Sequence, residues 1–301
     1  MPHHRGSSRP SSRAPRSLAL LLLSPLLALL GACAAGPGSA QVTPWRDAIV
    51  AVRDQSNAAF AATNALARDN QINYAVTQPR LSEALLRPAL DAPSIRAWDT
   101  ALDALSSYAA AIATLVDPAS SQSTGQNAAA LSERIALQAR STVFTDRPGL
   151  SHAIAGVAAA IAQAHASAAA RDIIAQADPA VQDLLHALRD TIAAPAADGT
   201  DTGIIATVQT NWSLRLAEVQ AAYLSPSANR VELAAQYAEM LDKRDQSVQT
   251  LLDLQQSLDA LALAHAQLAQ GQTVDATHIL AQAREYAALA RDVLKDLQPA
   301  K

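Results

Sequence analysis

The chain has a single cysteine, Cys33, so no disulfide can form within it. Aromatic residues make up only 3% of it, and there are 10 glycines in 301 residues. With few β-branched runs and few glycine turns, an all-β fold is excluded. Basic residues fall short of acidic ones, 23 against 27, for a net charge of −4, which argues against a nucleic-acid partner. Charge of either sign is sparse at 17%, but half of the residues are hydrophobic, so the chain is not wholly disordered. Catalytic signatures are missing too. There is no G-x-S-x-G elbow, P-loop, dinucleotide-binding glycine motif, H-E-x-x-H or C-x-x-C-H. The expectation is a protein without catalytic activity. What is abundant is alanine, at 71 of the 301 positions, so much of the hydrophobic half consists of methyl groups.

Residues 1–32 read as a removable export signal. Arg5, Arg9, Arg13 and Arg16 stand among serines and prolines, and no acid accompanies them. Leu18 to Leu30 is a 13-residue apolar run broken by Ser24 and Pro25. That suits a signal-peptide core and falls short of the roughly 20 residues of a membrane-spanning helix. The run ends in Leu30-Gly31-Ala32-Cys33. An aliphatic residue at −3, two small residues and then cysteine resemble the lipobox of bacterial lipoproteins. The resemblance implies a diacylglycerol thioether on Cys33, cleavage before it and N-acylation of the new amine. Beyond that lipid no cofactor is expected. A thioether-linked lipid needs cysteine because thiolate is the good nucleophile among ordinary side chains. Two or three acyl chains give stable anchoring where one is marginal. Ala34, rather than Asp, follows the cysteine. In a diderm envelope this implies the outer membrane, facing the periplasm, more than the inner one. Ordinary cleavage after Gly38-Ser39-Ala40, with loss of Cys33, is the alternative.

Removing residues 1–32 leaves 269 residues, with 19 basic against 27 acidic side chains and a net charge of −8. Residues 33–43 then form the lipidated cysteine and a flexible tether that reaches about 35 Å at most.

From Thr43 to about residue 298 the pattern is helical. It predicts an all-α, elongated antiparallel bundle of about nine helices, several of them long. Thr43-Pro44 opens the first, since proline is tolerated at the first helical position. The spacing predicts further helices over 79–90, from Pro93 to Val116, and over 126–140. It continues with helices from Pro148 to Ala177, from Asp178-Pro179 to Ile192, and from Ile205 to Tyr223. Ser227 then caps a helix over 228–270, and Thr273 caps the last. Ile95, Trp98, Leu102, Leu105, Ala109, Ile112 and Val116 step by three and four, as bundle packing requires. The pattern allows one bundle or two stacked ones with a break near 195–203.

Trp45, Trp98 and Trp212 each lie in phase with an apolar stripe, which predicts buried anchors. His265 falls near the centre of its apolar face, between Leu261 and Leu268. A buried histidine there needs a hydrogen-bond partner. It is the one weak metal candidate. Its natural mate across the 271–272 turn, His278, projects about 150° away from its own apolar face at 100° per residue. His152 and His165 likewise diverge, so no metal site is expected.

Residues 148–170 carry no formal charge. The bland reading is the most buried helix of the bundle, with Gly156 and Ala160 as a small-residue contact. The sharper reading is a membrane-inserting hairpin of a pore-forming protein, although alanines gain little in lipid. With the anchor, these features predict an envelope-attached helical binding or scaffold module. Its partners would be the membrane, through its lipid, and another envelope protein or a second copy. A carrier of small ligands or metal is the remaining alternative, resting on His265 and the tryptophans.

Overall fold

Among the described residues every regular element is helical, and alanine explains how the helices approach one another. The computed structural model describes residues 39–116, 124–145, 147–164, 170–193, 202–272, 274 and 276–296. They form eight α-helices: α1 Ser39–Ala75, α2 Ala92–Leu115, α3 Thr124–Ala139 and α4 Pro148–Ala164, then α5 Ala170–Ile192, α6 Ile204–Tyr223, α7 Arg230–Ala269 and α8 Ala276–Asp296. The helices share one contiguous core, and Gly36–Lys301 form one compact unit. Its most extensive helix pair is α1 with α8. Ala48, Ala51, Ala58 and Ala62 are buried on α1, and Ala276, Ala283, Ala287 and Ala290 on α8. Such small side chains let two axes come to the short end of the 8–10 Å range.

Side-chain bonds fix the relative directions of the helices. Trp98 on α2 reaches Thr191 on α5, and Tyr108 meets the Asp178 end of the same helix through His265. α2 and α5 are therefore antiparallel. Arg189 pairs with Asp259, and Gln182 donates to the carbonyl of Ala262, which sets α5 antiparallel to α7. Asn70 lies beside Asn211 and Asn73 beside Glu218, so α1 and α6 run parallel. Gly156 fits α4 against α5: a Cβ on it would stand 2.9 Å from that of Ala180.

Several boundaries differ from those the sequence predicts. α1 begins at Ser39, with Pro44 inside it, so five residues assigned to the tether are helical. Residues 79–90 hold only a 3-10 turn, Glu83–Leu86, with no buried residue to fix a helix against the bundle. The predicted helix break at Asp178-Pro179 does not occur there. α4 ends at Ala164, and α5 runs unbroken through Pro179. Pro179 deprives the carbonyl of Ala175 of its helical N–H, but both residues face solvent, where water can serve it. Ile174, Asp178, Val181 and Leu185 share the inner face and hold the helix together across the proline. α7 is capped by Asn229, which accepts from the Glu232 amide, and not by Ser227. α4 is buried on one face only: Leu150, Ile154, Val157 and Ile161 are buried, whereas His152, Ala155, Ala159 and Gln163 are exposed. Its lack of charge reflects alanine on the solvent face. The expected Thr273 cap and most of the 195–203 loop lie outside the described residues, as do residues 1–38.

Candidate functional site

Cys33 and His165 lie outside the described residues. The other singled-out side chains fall at the bundle centre or on its surface. Trp45, Trp98 and Trp212 are all buried, and each indole N–H has a partner. Trp45 donates to the Leu261 carbonyl at 3.1 Å, Trp98 to Thr191 Oγ1 at 3.0 Å and Trp212 to Ser247 Oγ at 3.2 Å. A buried indole needs such a partner, and each bond joins two helices.

His265 sits at the meeting point of four helices and is 1% exposed. Its Nδ1 is 2.8 Å from Asp178 Oδ1 on α5, and its Nε2 is 2.9 Å from the Tyr108 hydroxyl on α2. The Trp45 ring from α1 lies against the imidazole, with centroids 5.0 Å apart. Donor and acceptor roles follow from chemistry. An ionised carboxylate can only accept, so Nδ1 carries hydrogen, and Nε2 then accepts from the Tyr108 O–H. Gln182 supports the same carboxylate at 3.0 Å and also donates to the Ala262 carbonyl.

The charges follow the burial. Desolvation pushes the His265 pKa below its ordinary 6.5, outweighing the pull of Asp178 in the other direction. Asp178 is held below its ordinary 3.8, chiefly by the bond from His265. Burial drives the Tyr108 pKa upward. The state at neutral pH is thus neutral tyrosine, neutral imidazole and ionised carboxylate. An aspartate–histidine–hydroxyl chain can activate its hydroxyl as a nucleophile in enzymes. Here the hydroxyl belongs to Tyr108, which is 0% exposed. The arrangement ties α1, α2, α5 and α7 into one register.

Tyr108 and Asp178 are the members that sequence reasoning missed. Asp178 reads as a helix cap because proline follows it. Its spacing from Ile174 and Val181 was the available signal, because it puts the carboxylate on the apolar face. Tyr108 stands between Leu105 and Ile112 on the stripe of α2 that faces the core. His152, His186 and His278 are exposed. Among the described residues no group of three or more His, Cys, Asp or Glu could hold a metal ion. No described helix is long and apolar enough to cross a membrane, α4 included.

The other distinctive region is one end of the bundle. α1 and α6 end side by side, and α7 begins just beyond α6. There Val76 is 78% exposed, Leu224 71% and Val231 82%, with Tyr74 also open to solvent. The first four turns of α7 carry no buried residue. Arg230 lies over the Tyr223 ring at 5.3 Å and closes the α6–α7 hairpin. Along the flank, Arg215 pairs with Asp69.

No protein-family model matches this chain, and no curated protein or solved structure is significantly similar to it.

Proposed function

We propose that this chain is a lipid-anchored, non-catalytic binding module of a bacterial envelope, which presents the α6–α7 hairpin end to a protein partner. The anchor rests on Leu30-Gly31-Ala32-Cys33, with the outer membrane favoured by Ala34. The observation that carries the binding role is the apolar tip, where Tyr74, Val76, Leu224 and Val231 stand exposed together. Isolated exposed apolar residues are ordinary, but a cluster at the free end of a long hairpin suits a protein contact. α1 starts at Ser39 and ends in the tip after 37 residues, about 55 Å of helix at 1.5 Å each. The central histidine network supports the role indirectly, because it fixes the helices that hold the hairpin.

Two measurements in native cells test this reading. Labelled palmitate should enter the wild-type protein but not Cys33→Ser, which should also leave the membrane fraction. An unlabelled wild type would overturn the anchor. A photo-crosslinking residue at Val231 should yield a discrete protein adduct, whereas one at His278, exposed on the far side of the α7–α8 turn, should not. Equal adducts at both positions, or none at Val231, would overturn the docking role. An adduct of twice the chain mass would identify the partner as a second copy.

A further inference from the structure

We infer that a groove along α2 and α3, separate from both the anchor and the hairpin tip, binds a single-chain fatty carboxylate. The groove encloses about 350 Å³, within the range of small-molecule sites. Its floor is apolar and drawn from four helices: Tyr108 and Ile112 of α2, Leu131 of α3, Ile161 of α4 and Ile173 of α5. All five side chains are buried in the bundle beneath it. Above that floor an alkyl chain would meet the open side chains of Ala110, Ala111, Leu115 and Ala130, which line the same groove.

The polar groups are few and sit to one side. Arg134 and Ser107 line the same groove, and neither side chain bonds to another described residue. α3 runs antiparallel to α2, because the segment that follows it returns to the start of α2: the 3-10 turn Thr142–Phe144 packs on α2, and Arg147, just before α4, donates to Ser94. Arg134 therefore lies toward the Ser107 end of the groove, and Leu115 marks the other end. One cation with one hydroxyl suits one negative charge. The planar guanidinium offers paired N–H donors that match a carboxylate. Ser107 to Leu115 spans about 12 Å of helix. An extended chain advances about 3.5 Å for every three bonds, so about ten methylenes fit along it. The geometry thus specifies a carboxylate head at Arg134 and a medium-length alkyl tail over Ile112 toward Leu115.

The test uses the full chain carrying Cys33→Ser, titrated with carboxyl-¹³C dodecanoate below its micelle-forming concentration. The carboxyl resonance should shift and saturate at one equivalent. Arg134→Gln, an exposed substitution that leaves the core untouched, should weaken binding at least about tenfold, as loss of one charge-assisted contact would. Arg134→Lys should restore part of it, and Ala111→Phe should block the groove. Dodecyltrimethylammonium, with the same tail and the opposite charge, should not compete. Absence of saturation, equal competition by the cationic amphiphile, or unchanged affinity in Arg134→Gln would each overturn the assignment.

Discussion

The two halves of α7 are one unbroken helix of 40 residues, yet different forces hold them. From Ser247 onward the helix buries Leu251, Leu254, Leu258, Leu261 and Leu268, and it places His265 at the centre of the bundle. Before Ser247 no residue is fully buried, and Met240 is the one apolar side chain partly packed against the core. That first half is rich in strong helix formers, as in Glu232-Leu-Ala-Ala-Gln, and is tied locally. Asn229 caps it, Glu239 pairs with Lys243 at 2.8 Å one turn on, and α6 lies along one side. An isolated helix of this length is marginal in water. The projecting half stands because the packed half and α6 already fix its direction. A surface meant for a partner can thus be built from a helix that contributes little to the core.

The comparison can be broken by trimming one side chain in each half. Leu258 is 0% exposed, and Leu258→Ala should cost about 2–5 kcal/mol through lost burial and a residual cavity. Val231→Ala in the projecting half should stay within about 0.5 kcal/mol. Urea unfolding of the full chain, read by circular dichroism, measures both. Equal losses would mean that the hairpin is part of the cooperative core.

A smaller effect separates satisfied from unsatisfied polar groups in the buried region. Tyr108→Phe removes the donor to His265 Nε2 and should cost about 1–3 kcal/mol, the desolvation penalty of an orphaned acceptor. Gln55 on α1 is also fully buried, but neither of its amide atoms has a protein partner. Gln55→Leu should therefore raise stability, by about 1 kcal/mol, in the same unfolding measurement. A loss in Gln55→Leu matching that of Tyr108→Phe would show that the amide is served after all.

Periodicity carried most of the architecture. The stripes through Trp98, Leu102 and Leu105, and through Ile205, Val208 and Trp212, are buried faces in the fold. The errors fall where local chemistry and tertiary context disagree. Asp178-Pro179 is a strong local start signal, but the buried apolar neighbours Ile174, Ala177, Val181 and Leu185 on the inner face override it. The weak apolar pattern over 79–90 finds nothing to pack against, so only a 3-10 turn survives. The histidine centre was half legible: position on the helix predicted that His265 is buried and must be bonded. Which residues bond it depends on how α2 and α5 dock, and no spacing within one helix encodes that. The exposed tip was not legible at all. Val76, Leu224 and Val231 stand out only once the parallel run of α1 and α6 brings their ends together.

The smallest predicted effect is a pH dependence, and it dissects the same helix. His265 is neutral in the fold because burial lowers its pKa, whereas in the unfolded chain it titrates near 6.5. Below that pH the unfolded state binds a proton that the folded state resists, so stability falls as acid is added. The slope approaches about 1 kcal/mol per pH unit for one such group. The groups around the imidazole are Tyr108 from α2, Asp178 and Gln182 from α5 and Trp45 from α1, and none titrates between pH 5.5 and 7. Asp178 has its pKa lowered from 3.8 by His265, and Glu239 has its pKa lowered from 4.5 by Lys243. Each therefore contributes stability that is present above those values and lost as pH falls further. Acid should act in two windows: one below about pH 6.5 from the packed half, and one below about 4.5 to which the projecting half also contributes. His265→Gln should abolish the first window and shrink the second to what does not depend on the bond to Asp178, such as the Glu239–Lys243 pair, whatever its own cost in stability at neutral pH. Segment-resolved hydrogen exchange between pH 7 and 5.5, corrected for intrinsic rates, should show protection falling over 250–268 and staying constant over 230–246. Equal loss across both segments would mean that acid acts on α7 as one unit, and the distinction between its halves would fail.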